Sequence, residues 1–276
     1  MPSAAPSAAE ALVEALIETQ RQLAAGRRPV SATWLNHYSL GVAMETAPEA
    51  VRAADVCGVD GQLLRRLLSH PARTSADLVV PLLLQRDPTV RTVIAIGGAG
   101  DRGEALSRRL TEFAGRPVSV HSVDGFEGLP RGARLGALVR RVQPDLVLVG
   151  LGAGLQEEVL LEAAKAMTRG YALTCGGFLD QALSPRYYPV WAYPLRLNWL
   201  VRVAREPRHL WRRYSVDAWR AVARRQQWRA MMAGVAGLSR HADMCATGRG
   251  VAAGAYGAHT AALPPKSVES HHRTAV

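Results

Sequence analysis

The stretch PDLVLVGLGAGLQEE, residues 144–158, places an amide and a carboxylate, Gln156 and Glu157, directly after an apolar run and three glycines. Ligands in open α/β sheets bind beyond the carboxyl ends of the strands, so this is where binding chemistry belongs. Two further apolar runs end in glycine pairs, Gly97–Gly98 and Gly176–Gly177. Glycine lets a backbone approach a phosphate or a sugar with no Cβ in the way. Gly97, Gly98, Gly152 and Gly177 are therefore read as ligand-contacting positions, although glycine is also common in strand-to-helix turns. Asp60, in CGVDGQ, has the chemistry of a general base, which needs a hydroxyl within reach and partial shielding. Asp-Gly is equally a turn dipeptide, and on these residues alone the turn is the stronger reading. Thr33 and Asn36, in TWLNHYS, can hold a ligand or cap a helix, and capping is the safer reading.

A rival chemistry is written in the first glycine loop. Gly98, Gly100 and Gly103 satisfy GxGxxG between an expected strand and an expected helix, and Asp124 closes the next strand. That is the dinucleotide fingerprint of an NAD-type oxidoreductase, except that such a fingerprint normally opens its domain. Either chemistry puts a phosphate-bearing ligand near this loop and Asp124. Cys57, Cys175 and Cys245 lie far apart and the eight histidines are scattered, so neither a zinc site nor a disulfide framework is expected, in keeping with a reducing cytoplasm.

Charge is concentrated rather than spread. Residues 195–230 hold ten arginines against Glu206 and Asp217, which is +8 of the formal net charge of +11. Trp199, Trp211, Trp219 and Trp228, four of the six tryptophans, lie in the same segment. Glu206–Pro207 divides it into two helices, and in the second Trp211, Trp219 and Val222 recur near helical spacing between arginines. Tryptophan prefers the headgroup level and arginine pairs with anionic lipid, so a membrane-lying appendage is favoured over a nucleic-acid surface or a solvated face. A third alternative for the chain as a whole is a non-catalytic, membrane-binding protein. No apolar run approaches the length of a membrane-spanning helix, and the Ala-rich start carries Glu10, Glu14 and Glu18 rather than the basic residues of a secretory signal. A cytoplasmic protein is expected.

The elements that position these residues alternate. Residues 7–26 read as a helix ending at Gly26, followed by a short strand through Ser31 and Ala32 and a helix. Beyond a helix from Pro48, an apolar piece at 55–59, a turn at Asp60–Gly61 and a further helix, three strand–helix units run through 92–166, and a last strand ends at Gly176. Asp101 and Glu104 have the spacing of a capping box. Short continuous apolar strands between helices indicate a parallel sheet covered on both faces, a Rossmann-like α/β fold. The expected division is an N-terminal helix (1–27), an α/β domain (28–194), the basic helical appendage (195–230) and a disordered tail of small residues (231–276).

With these motifs in place, the chain resembles the WecG/TagA/CpsF glycosyltransferase family (glycosyltransferase family 26). The resemblance runs from about Arg28 to Trp219 and is carried by TWLN, DVCGVDGQLL, VIAIGGAGDRGEALSRRL, VDGF, PDLVLVGLGAGLQEE, TCGGFLD and YPVWAYPLRLNWLVRVAREPRHLWRRY. It implies an inverting, metal-independent transferase with no cofactor. Such an enzyme moves a sugar, N-acetylmannosamine or a glucose-type sugar, from a UDP donor to a polyprenyl-diphosphate-linked acceptor at the inner face of the bacterial plasma membrane. It also implies roles. Asp60 matches the catalytic base, Thr33 and Asn36 the early substrate motif, and Gln156 the glutamine of the third motif. Arg202 and Arg212, with Arg208 close to the same role, match arginines that close over the diphosphate. Three departures stand out. Gly154–Leu155 replaces a frequent Pro-Lys, His209 replaces a frequent arginine, and two residues rather than one separate Thr33 from Asn36. The missing lysine leaves the donor sugar open. The partners implied are the UDP-sugar, the lipid-linked acceptor and an anionic membrane surface, not nucleic acid, with homo-oligomerisation left open.

Overall fold

A computed structural model describes residues 6–184, 211–212 and 215–250. Its centre is a six-stranded, all-parallel sheet in the order β2-β1-β6-β5-β3-β4. The strands are β1 (Val30–Leu35), β2 (Val56–Val59), β3 (Thr92–Gly97), β4 (Ser119–Val123), β5 (Leu146–Gly150) and β6 (Tyr171–Thr174). β1, β2 and β6 are buried along their whole length, as strands covered on both faces must be. Only the edge strand β4 is open to solvent.

Nine helices are described within residues 6–184: α1 (Ala8–Ala24), α2 (Ser39–Thr46), α3 (Pro48–Ala53), α4 (Gln62–Leu68), α5 (Ala76–Arg86), α6 (Gly103–Ala114), α7 (Ala133–Val142), α8 (Leu155–Ala166) and α9 (Phe178–Leu183). One face of the sheet packs Val93, Ala95, Leu148 and Leu173 against Leu16 of α1, Leu83 of α5, Leu110 of α6 and Leu179 of α9. On the other, Ile94, Ile96, Val147 and Val149 meet Val139 of α7 and Val159 of α8. The Rossmann-like expectation therefore holds. α6, which follows β3, and α8, which follows β5, lie on opposite faces although their strands are neighbours. Such a switch point is where open α/β sheets bind ligands, beyond the carboxyl ends of the strands.

α1 begins with a capping box in which Ser7 and Glu10 satisfy each other's backbone N–H groups. The box expected at Asp101 and Glu104 does not form, because α6 starts only at Gly103. Asp101 instead accepts from the Gly103 N–H at 2.9 Å and from the Ser122 hydroxyl at 2.6 Å, while Glu104 pairs with Arg108. α5 was not anticipated from sequence; its internal Pro81 masks a helical pattern whose Val79, Val80, Leu83 and Leu84 are buried.

The C-terminal part differs most from expectation. α10 (Val216–Ala223) and α11 (Arg225–Ala233) are followed by α12 (Ala236–Thr247), so the disordered tail expected from residue 231 does not exist up to Thr247. α12 lies on the edge strand β2. A Cβ on Gly237 would stand 2.9 Å from the Ala54 carbonyl oxygen and 3.0 Å from the Cys57 nitrogen. Small residues, which as composition suggested disorder, are what this close approach requires. Arg240 donates to the Asp55 carbonyl at 2.6 Å, and His241, Met244 and Cys245 turn inward.

His241 is fully buried, 2.7 Å from the Thr74 hydroxyl and 3.4 Å from His70. Burial, assisted by His70, pushes its pKa down from 6.5 to about 3. The unfolded chain therefore binds a proton below about pH 6.5 that the folded chain refuses until about pH 3. The stability present above pH 6.5 falls through that window, by up to about 1.4 kcal/mol per pH unit. Melting curves from pH 7 to pH 4 should fall more steeply for the wild type than for His241→Gln, and parallel slopes would refute this assignment.

Candidate functional site

The middle of β1, the carboxyl end of β6 and the loop after β5 converge on a buried polar cluster at the start of α8. Gly154 has φ +85 and ends the glycine loop, and the first turn of α8 presents Gln156 and Glu157. Glu157 is fully buried, 124 residues from the Thr33 hydroxyl that donates to its Oε1 at 3.1 Å. The Gln156 Nε2 donates to the same oxygen at 2.8 Å, and the Gly154 N–H donates to Oε2 at 2.7 Å. Thr33 in turn accepts from the Thr174 hydroxyl at 3.0 Å, and Thr174 accepts from the Trp34 N–H at 3.1 Å. Each hydroxyl proton in this chain is directed, ending on the carboxylate.

Burial raises the pKa of Glu157 above the usual carboxylate range, against the pull of the bonds from Gln156, Gly154 and Thr33. No cation offsets it within this cluster of donors. Its presence is felt by the Cys57 thiol, pushed up to about 12 by burial and then by Glu157. Sequence reading assigned Thr33 and Gln156 to the site but left Glu157 as a helix-start carboxylate; the side chain does cap α8, while its other oxygen joins two site residues. Thr33 is 0% exposed, and its hydroxyl is bonded to Glu157 and Thr174.

Asn36 and Asp60 stand side by side, one residue beyond the paired Leu35 and Val59 of β1 and β2. Asn36 Oδ1 accepts from the Tyr38 and Ser39 N–H groups, both at 3.0 Å, which is the capping role. Asp60 is about one-third exposed and its carboxylate lies 3.6 Å from the Arg73 guanidinium, a partner that the motif reading missed. Arg73 reaches it because the following residue, Thr74, bonds back to Val59 across the strand end.

The other predicted residues collect on the β3–β4 flank. Gly97 has φ +137, and a Cβ there would fall 2.2 Å from the Gly150 carbonyl oxygen, so backbone packing alone requires glycine. Gly98 accepts from the Gly125 N–H at 2.8 Å, beneath the Arg102 side chain, which is ion-paired with Asp180. Asp124 accepts from the N–H groups of Gly100, Phe126 and Glu127 at 2.6, 2.7 and 2.9 Å. Those three backbone bonds hold its carboxyl below the ordinary range. Asp124 thus fastens the two loops together. Gly152 accepts the first N–H bond of α8, from Gln156, and Gly177 caps α9. A shallow depression of about 620 Å³ along β4, lined by His121, Ser122 and Asp124, is the flank of an edge strand and lies away from the Glu157 cluster.

Arg202 and Arg208 lie outside the described residues, and Arg212 is exposed. Trp211, with Trp219 and Val222 of α10, is exposed, whereas Trp228 is buried against Leu40, Met44 and Leu64 and belongs to the core. No described helix is long and apolar enough to cross a membrane. Among the described residues no group of three or more metal-ligating side chains gathers.

Residues 6–233 match the family model described as the glycosyl transferase WecG/TagA/CpsF family. The chain is also 33% identical over 212 residues, 72% of its own length and 87% of the relative's, to the UDP-Gal:alpha-D-GlcNAc-diphosphoundecaprenol beta-1,4-galactosyltransferase of Shigella boydii.

The Thr33–Glu157 link can be tested without any ligand. Thr33→Val leaves a buried carboxylate oxygen and the Thr174 hydroxyl each short of a partner, a loss of about 1–3 kcal/mol. Urea titration should show a lower midpoint at unchanged slope, with most of the loss recovered in Thr33→Ser.

Proposed function

The chain belongs to the WecG/TagA/CpsF glycosyltransferase family, and on that premise we propose that it transfers a hexose from a UDP donor to a polyprenyl-diphosphate-linked sugar, with inversion. Family membership displaces the oxidoreductase reading of the 98–103 loop. The relative's named reaction, with a UDP-sugar donor and a diphosphoundecaprenol-linked acceptor, supports the substrate classes. The observation that carries the reading is the placement of a partly exposed carboxylate, Asp60, one strand over from the cluster that holds Gln156.

In this reading the acceptor hydroxyl gives its proton to Asp60 as its oxygen attacks the anomeric carbon. The new C–O bond forms as the bond to the UDP β-phosphate oxygen breaks, and the leaving diphosphate takes the electron pair. Arg73 orients Asp60 through their ion pair. The sugar lies by Gln156, and the nucleotide extends toward the glycine loops that follow β5 and β3. Arg202, Arg208 and Arg212 supply positive charge to the departing diphosphate, a role in which guanidinium groups are effective. Turnover is then expected to persist in EDTA.

The acceptor lipid stays in the bilayer, so the enzyme works at the membrane surface. The exposed Trp211 and Trp219, with Arg220, Arg224 and Arg225 around them, support docking on anionic lipid at the cytoplasmic face.

The reading is tested with purified full-length protein and a short-chain polyprenyl-diphosphate acceptor bearing N-acetylglucosamine. UDP-galactose, UDP-glucose and UDP-N-acetylmannosamine serve as donors, with product mass as readout. One donor should extend the acceptor by one sugar, and Asp60→Asn should lower turnover by about 10²–10⁴-fold with donor binding kept. Full activity in Asp60→Asn would move the base elsewhere, and absence of product from every donor would defeat the substrate assignment.

A further inference from the structure

The Gln156 side chain is only 5% exposed, and its amide is used asymmetrically. The NH₂ end is bound to Glu157, while the carbonyl Oε1 is buried and receives no hydrogen bond from the described residues. Buried acceptors are rarely left in this condition, because the lost hydration is not recovered. Gln156 stands in the first turn of α8, beyond the carboxyl edge of the sheet, where ligands of open α/β folds bind.

The polarity of that amide is dictated by Glu157. The proton of Thr174 is directed at Thr33 and the proton of Thr33 at Glu157 Oε1, while Oε2 is taken by the Gly154 N–H. A carboxylate so placed can only accept from its last neighbour, so Gln156 must turn its NH₂ inward. We propose that Glu157 is a positioning residue that fixes the Gln156 amide, holding its carbonyl oxygen as the acceptor for an O–H or N–H of the transferred sugar. This rests on the transferase reading above and adds to it the group that recognises the sugar half of the donor. A donor whose hydroxyl or amide hydrogen meets that oxygen satisfies an unmet acceptor, whereas UDP by itself leaves it unmet.

Glu157→Gln keeps the size of the side chain and reverses the consequence. The new amide can still accept from Gly154 with its oxygen, and it then shows NH₂ to Gln156, which must turn its own carbonyl inward. The group presented to the sugar changes from acceptor to donor.

Two measurements on the full-length protein decide the matter. The first is hydrogen exchange of the Gln156 side-chain amide in ¹⁵N-labelled wild type, its signal identified by loss in Gln156→Ala. Slow exchange is expected, and exchange at the rate of a free amide would overturn the proposal even if Glu157→Gln does not fold. The second is calorimetric titration with UDP, UDP-galactose, UDP-glucose and UDP-N-acetylmannosamine. Wild type should bind at least one UDP-hexose about tenfold to a hundredfold more tightly than UDP. Glu157→Gln and Gln156→Ala should each lose that preference while binding UDP within about twofold of wild type, and the double variant should lose no more than either single one. A preference kept in Glu157→Gln, losses that multiply in the double variant, or a wild type that binds UDP yet prefers no hexose would each overturn it. Should wild type bind neither UDP nor any UDP-hexose, the transferase reading fails, and the amide-exchange result still decides whether Glu157 holds Gln156.

Discussion

A buried carboxylate is costly unless its oxygens are filled with hydrogen bonds or paired, and Glu157, with no cation beside it among the described residues, meets that condition only in the assembled fold. Its donors come from the middle of β1, from the loop after β5 and from its own neighbour on α8. The network continues through Thr174 of β6 and returns to β1 at the Trp34 N–H. Three adjacent strands are thereby set at a fixed height against the first turn of one helix. Displacing any of them would strand a charge or a hydroxyl in the interior, so the cluster acts as a register pin at the end of the sheet where chemistry is expected.

The opposite flank is organised by a different device. There the loops are fastened by backbone N–H groups converging on Asp124 and by glycines that let chain pass against chain, as Gly97 does against Gly150. Arg102, ion-paired with Asp180, lies over this loop. In a dinucleotide fold, the loop and the acid after the next strand meet the cofactor directly. Here the acid is engaged with the loop itself, and the spacing that imitates the fingerprint serves internal packing. Strand order places Asp60 just past β2 at one edge and Asp124 just past β4 at the other, five strand spacings or about 24 Å apart. Only an elongated ligand could reach toward both.

Much of this was legible in the chain because it depended on local signals. The strands are uninterrupted apolar runs ended by glycine, and parallel pairing follows from their alternation with helices. Gln156 drew notice by its position after such a run, whereas Thr33, Asn36 and Asp60 read locally as capping and turn residues and took their site roles from the family resemblance. What was illegible depended on distant partners. Nothing around Glu157 reveals that Thr33 will lie against it, and an acidic residue at a helix start looks the same whether it caps, binds or does both. Arg73 escaped notice for the same reason, since its proximity to Asp60 comes from the path of the chain between them. α12 was missed because the small residues that let Gly237 touch β2 also remove the hydrophobic period by which helices are recognised.

That last helix bears on the chemistry. The family match ends at residue 233, and α12 begins at Ala236, yet it packs on the strand whose end carries Asp60. It reaches that region by polar contacts as well as by packing. Arg240 bonds to the Asp55 carbonyl at the entry to β2, and His241 bonds to Thr74, the residue after Arg73. Thr74 is also the acceptor for the Trp34 indole at 2.9 Å, and Trp34 is the residue whose N–H closes the Glu157 network on β1. The two halves of the site, the exposed carboxylate on β2 and the buried one beneath α8, thus share a single brace from a segment outside the shared family region. A sheet edge left bare would be free to fray, and Asp60 sits on that edge. The placement of the carboxylate is therefore a property of the whole chain through Thr247, not of the family domain alone.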